Sequence, residues 1–175
     1  MTTNFQKCKD WLEIALADAR TALENYKSSN FYASFYFSQQ SNEKLCKSLL
    51  LFFGKQIKKT HFPTQILQDL LKNNQIPDQF IQNLITALIQ QTLYLERERE
   101  VPRYGIEELD RLIKPQDLYS AIDALYALQT TSKNLKIFMQ IIDHLSKQSH
   151  FQTILLDLQS FRDKVKILWN STQQE

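Results

Sequence analysis

The chain has 175 residues with only two glycines and four prolines, and its formal net charge is +2. Average usage would give about 12 glycines in this length, and the deficit excludes Walker loops, dinucleotide fingerprints, collagen-like repeats and many-turned β architectures, which depend on clustered Gly and Pro. The near-neutral balance gives no global argument for nucleic acid or for a membrane surface, and the length fits one domain able to bury a proper core.

Apolar spacing predicts a first helix over about 4–27, where Phe5, Cys8, Leu12, Ala15, Ala19, Leu23 and Tyr26 recur at steps of three and four. Ser28, Ser29 and Asn30 break it, with Asn30 placed to cap the next helix. A second helix is expected over about 31–53, stopping at Gly54, and its aromatic start (Phe31, Tyr32, Phe35, Tyr36, Phe37) marks it as the most buried. A short third helix fits 64–72, with Pro63 at its first turn and Asn73 and Asn74 at its end. A fourth opens after Pro77 and Asp78 and carries Phe80, Ile81, Leu84, Leu88, Leu93 and Leu95. The stretch 100–115 reads as a connector with at most one turn of helix, and no β-alternation of useful length is seen. A fifth helix is expected from near Gln116 to about Leu145, with Leu118, Ile122, Leu125, Leu135 and Phe138 on its stripe, and a last one over about 151–169.

The fold class expected is therefore all-α: an up-and-down bundle of four to five main helices plus a short one. We expect a single domain over 1–170, with a core at about 5–145, an extra C-terminal helix at about 148–170 and a polar tail over 171–175. Cys8 and Cys46 lack disulfide or zinc spacing and read as small buried hydrophobes. No apolar signal core opens the sequence, and no run approaches the roughly 18 apolar residues of a membrane span, so a cytoplasmic protein without membrane association is expected.

The usual reaction motifs are missing. His61, His144 and His150 show no HExxH and no second ligand at metal spacing, no Glu-x-x-His occurs on two helices, and no serine sits in a nucleophile elbow. No metal and no cofactor is called for. The second helix carries the most informative pattern. Gln40, Glu43, Lys44 and Lys47 fall at i, i+3, i+4 and i+7 and so share one face. One reading is a partly exposed stripe with a Glu43–Lys47 pair, and the other is a polar groove for a ligand or a second subunit. Residues 43–72 hold six lysines against two acids, with Thr60 and His61 among them, a modest footprint for phosphates. Four of the six arginines (97, 99, 103, 111) lie among six acids between Glu96 and Arg111. There, Val101-Pro102-Arg103-Tyr104-Gly105 is a Pro-stiffened turn able to present an Arg and a Tyr.

These residues resemble the HEPN superfamily, small helical proteins named for nucleotide binding in higher eukaryotes and prokaryotes. Trp11-x-x-x-Ala15-x-x-Asp18 looks like its first helix, and the run FYASFYFSQQSNEKLCKSLL over 31–50 is similar to its second. Lys59-Thr60-His61 resembles a Thr-His step into the third helix, and Arg103-Tyr104-Gly105 an Arg-Tyr-Pro step with Gly for Pro. The resemblance covers roughly residues 5–145. HEPN ribonucleases carry an Arg followed four to six residues later by a His, and none of Arg97, Arg99, Arg103 or Arg111 has one. The resemblance thus implies a non-catalytic, dimeric binding module for nucleotide or RNA. Its candidate site is Gln40, Glu43, Lys44, Lys47, His61, Arg103 and Tyr104. It also implies a possible minimal nucleotidyltransferase partner in a toxin–antitoxin-like pair. The alternatives are a metal-independent ribonuclease, with Arg103 holding phosphate charge and His61 as base, and a helical interaction subunit with no ligand of its own.

Overall fold

The computed structural model describes residues 5–57, 61–145, 147 and 150–172. Seven α-helices follow one another: α1 (Phe5–Lys27), α2 (Phe31–Phe52), α3 (Pro63–Lys72), α4 (Gln79–Arg97), α5 (Val101–Tyr104), α6 (Ala121–His144) and α7 (Gln152–Thr172). Between α5 and α6 lie two short strands, β1 (Ile106–Glu108) and β2 (Arg111–Ile113), and a 3-10 turn over Pro115–Asp117. The five long helices run up and down, and the expected all-α bundle is what forms.

The chain reversals follow from local chemistry. The first three helices end alike, with one residue in the left-handed region: Ser29 (φ 57°), Gly54 (φ 73°) and Asn74 (φ 49°). In each, the next amide returns to a carbonyl inside the last turn: Asn30 to Asn25 at 2.8 Å, Lys55 to Leu50 at 2.9 Å and Gln75 to Leu70 at 3.0 Å. This double-bonded ending satisfies carbonyls that a helix terminus leaves open. Asp78 caps α4 by accepting from the Ile81 amide at 3.1 Å. Asn30 occupies the N-cap position of α2, but its side chain donates to Asn25 Oδ1 instead of capping.

Two departures from the sequence reading fall in the connector. A hairpin forms there, with Ile106 opposite Ile113 and Glu108 opposite Arg111, in three-residue strands too short to show alternation. The fifth long helix starts at Ala121 rather than near Gln116, because Ser120 and Asp123 make a reciprocal capping box that fixes its first turn. Leu118 consequently precedes the helix, and Ile122 faces solvent at 79% exposure.

The tightest seam joins α1 to α2. Ala15, Ala19 and Ala22 let the helices approach closely, and Ser41 and Ser48 donate across the seam to the Ala15 and Cys8 carbonyls at 2.7 and 2.8 Å. Sixteen of the 22 residues of α2 are buried, but of its aromatic start only Phe35 is; the burial comes chiefly from its serines and the run Leu45–Phe52. A polar layer crosses the core where α2, α4 and α6 meet: Asn134 donates to Asn42 Oδ1 at 2.6 Å and to Thr92 at 3.0 Å, and Asn42 donates to Thr131 at 2.8 Å. The last helix closes the bundle, burying Ile154, Leu158, Phe161 and Val165. Its start packs at the open end of α1, where Phe151 meets Phe5, Phe52 and Phe138. Both cysteines are free and buried, as expected. Burial pushes the Cys8 thiol up to about 11 and that of Cys46 higher still. A smaller cluster of Phe35, Leu95, Tyr119 and Ala127, with Tyr32, Val101 and Leu118 beside it, anchors the connector at the start of α2.

Candidate functional site

The helix α2 presents Tyr36, Gln40, Glu43, Lys44 and Lys47 along one side, in steps of three and four. The expected pair forms: Lys47 Nζ donates to Glu43 Oε1 at 2.6 Å. It is not partly exposed, however. Glu43 is 6% and Lys47 8% accessible, because Trp11 of α1 covers the lysine with its ring centroid 5.1 Å from Nζ. Removing either partner of such a pair would strand a buried charge. Lys44 turns to the other side and donates to Asp18 of α1 and, at 3.4 Å, to Gln40 Oε1. The Gln40 amide in turn donates to the buried Gln39 at 2.7 Å, so both amides have partners. The two lysines of the candidate set are thus each held by a carboxylate.

His61, just before α3, places Nδ1 3.7 Å from the second Glu43 oxygen, and its side chain is 56% exposed. The basic residues beside it, Lys58 and Lys59, and Thr60 lie outside the described residues. Behind Glu43 stands a second buried acid, Glu96 of α4. It accepts from the Thr64 amide at 3.3 Å and from the Thr64 hydroxyl. Burial raises its pKa, and the nearby Glu43 charge raises it further against the bonds from Thr64 and the Arg99 charge, which lower it. Arg99 stacks on Phe62, with Cζ 4.2 Å from the ring centroid, and pairs with Glu100 at 3.2 Å.

Arg103 does not close onto Glu43. Its Cζ lies 5.0 Å from the centroid of Tyr36. Tyr36 and Glu43 are seven positions apart on α2, about 10 Å along the axis. The structure therefore splits the predicted set. Gln40, Glu43, Lys44 and Lys47 share one face, His61 joins them at Glu43, and Arg103 and Tyr104 sit two turns away at the beginning of α2. Arg103 is exposed, pairs with no acid among the described residues, and lies next to the 64%-exposed Tyr104. Sequence reading missed Tyr36, Asp18, Trp11 and Glu96 as partners of this face. Glu96 was detectable, since it continues the Leu88–Thr92 spacing of a buried stripe.

Among the described residues no group of three or more His, Cys, Asp or Glu is placed to hold a metal, and no helix is long and apolar enough to cross a membrane. A cavity of about 300 Å³ at the far end of the bundle, lined by Phe5, Phe52, Phe53, Ile76 and Ile81 among others, is separate from this face.

An all-helical bundle with a charged second helix and an arginine-bearing connector defines the class of domain. A family model described as HEPN domain matches residues 8–148, most of the chain, and the protein belongs to the HEPN family. No curated protein and no solved structure matches it. The match ends before α7, which is extra to the family pattern and lies along α1 and α6 as a fifth long helix.

Proposed function

We propose that this HEPN-type module binds a nucleotide or RNA phosphate at Arg103, which rests on the ring of Tyr36 next to the exposed Tyr104, without cleaving it. The observation that carries the reading is the state of Arg103: exposed, braced on an aromatic ring and free of acidic partners, while Lys44 and Lys47 are held by Asp18 and Glu43. A guanidinium so placed offers a phosphate two parallel hydrogen bonds, and Tyr104 offers a face for a base. Gln40, Glu43, Lys44, Lys47 and His61 then shape the electrostatic field along this face of α2 rather than contacting the first phosphate. HEPN modules are commonly nucleotide- or RNA-related, which supports the same ligand class.

The partners fitting this reading are a second copy of the chain and a minimal nucleotidyltransferase, in a cytoplasmic, toxin–antitoxin-like pair. Exposed apolar side chains in the connector, Tyr104, Ile106, Leu109 and Leu112, support the second copy. The ribonuclease alternative loses support, since Arg103 and His61 sit about two helical turns apart along α2.

Titration calorimetry with nucleotides and a short single-stranded RNA tests the reading. Binding is expected at low salt, weakening as salt rises. Arg103→Ala should lower affinity at least several-fold and Lys44→Ala much less. No heat with any of these ligands, or an Arg103→Ala variant that binds like wild type, would leave a helical interaction subunit as the better description. RNA cleavage lost on His61→Ala in a folded protein would restore the ribonuclease.

A further inference from the structure

The hairpin is the least covered part of the molecule. β1 and β2 pair only with each other, so among the described residues each strand has an open outer edge. An open edge is a template for another strand, and an isolated two-stranded hairpin is marginal in water. Leu109 at the tip is nonetheless fully exposed, and Leu112 is 57% exposed. Seven of the twelve exposed large apolar residues fall between Tyr94 and Tyr126. Among them, Tyr94 packs on Tyr126 and on Phe35, which also meets Tyr119 just beyond the hairpin. Their combined exposed surface is on the order of the 800 Å² that one partner contributes to a standard interface.

The two edges differ in charge. β1 carries Glu107 and Glu108, whereas β2 reads Arg111-Leu112-Ile113. An isologous contact sets a strand antiparallel to its own copy. Pairing through β1 would bring four carboxylates together, and like charges directly opposite destabilise a sheet. Pairing through β2 sets Leu112 against the partner's Leu112, with Arg111 opposite the partner's Ile113.

We propose that β2 is the dimerisation edge: a second copy of this chain adds its own β2 antiparallel across a two-fold axis at Leu112, making one four-stranded sheet. The inference rests on the dimeric reading above and gives it an address. It also bears on the site. Ile106 pairs with Ile113, so Arg103 and Tyr104 stand at the base of the same hairpin. Antiparallel joining sets the two hairpins tip to base, so the two Arg103–Tyr104 pairs stand at opposite ends of the four-stranded sheet, one beside each bundle.

Light scattering on the full chain and two variants at micromolar concentration tests this. Wild type is expected at twice the 20.7 kDa chain mass. Leu112→Lys places like charges at the axis and should give a monomer with unchanged circular dichroism, since the side chain it replaces is exposed. Leu112→Cys should form a covalent dimer on mild oxidation, because opposed strand residues have Cα atoms about 4.5–5.5 Å apart, within disulfide reach. Glu107→Cys, on the other edge, should not. A monomeric wild type overturns the dimer and this edge together. A dimer that survives Leu112→Lys and does not cross-link through position 112 leaves the dimer standing and overturns the edge.

Discussion

Glu96, in the last turn of α4, caps the start of α3 through Thr64: one carboxylate oxygen accepts the Thr64 amide at 3.3 Å and the other accepts its hydroxyl. The N-cap residue of α3, Phe62, has no side chain able to do this, so the cap comes from 32 positions along the chain. The interaction ties α3 to α4 directly behind the Glu43–Lys47 pair. Thr64→Val keeps the volume and deletes the hydroxyl. It should lower stability by about 1–3 kcal/mol, the usual cost of a buried bond lost to a carboxylate. Urea unfolding measures this, and an unchanged midpoint would mean the cap is dispensable.

The same carboxylate sets a pH dependence. Burial, aided by Glu43, holds the Glu96 pKa above its ordinary 4.5. The folded chain therefore binds more protons than the unfolded one between 4.5 and that raised value, and stability falls as pH rises through this window. Glu96→Gln keeps an acceptor for the Thr64 amide and removes the desolvated charge. It should flatten the slope in that window and leave stability at neutral pH equal to wild type or above it. Thermal unfolding from pH 4 to 8 distinguishes this from a variant with an unaltered slope.

The polar layer between α2, α4 and α6 makes a contrasting pair of expectations. Asn134 bonds both Asn42 and Thr92, so Asn134→Ala strands two partners at a fully buried position and should lower stability by about 2–4 kcal/mol. The hydroxyls of Ser34 and Ser38 are buried with no partner. Ser34→Ala removes an unsatisfied group and should be neutral or stabilising. A Ser34→Ala loss comparable to that of Asn134→Ala would show that its hydroxyl is satisfied in solution.

Gly105 joins α5 to the hairpin at φ 76°, and a Cβ there would lie 2.0 Å from the Ile113 carbonyl oxygen. Gly105→Ala cannot keep both the turn and the strand register. We expect faster proteolytic cleavage between 105 and 113, with the helical circular dichroism of the bundle retained. Cleavage at the wild-type rate would show that the register shifts to accommodate the methyl group.

The bundle was legible because its long helices carry unbroken apolar stripes between residues that stop helices. Gly54, Asn74 and the Ser28–Ser29 break all ended helices where expected. The hairpin was not legible: three-residue strands show no period, and its turn residues, Leu109 and Asp110, include no glycine to mark it. At the candidate site, helical spacing correctly put Gln40, Glu43, Lys44 and Lys47 on one face. Spacing within α2 could not reveal that Asp18 and Trp11, on α1, would occupy the two lysines. It also could not say which of the four nearby arginines would rest on an aromatic ring without an acid, as Arg103 does. That outcome depends on where α5 docks, which Tyr36 and the Phe35–Tyr119 contact decide from distant parts of the chain.

The Lys47 ammonium held 5.1 Å from the Trp11 ring has a spectroscopic consequence. An indole beside a fixed positive charge emits at a wavelength that depends on that charge, and the chain has only one other tryptophan, Trp169 on α7. With Trp169 replaced by Phe, native fluorescence becomes a single-site record of the α1–α2 seam, and any event that loosens Lys47 from Glu43 becomes visible as a colour shift without an added label.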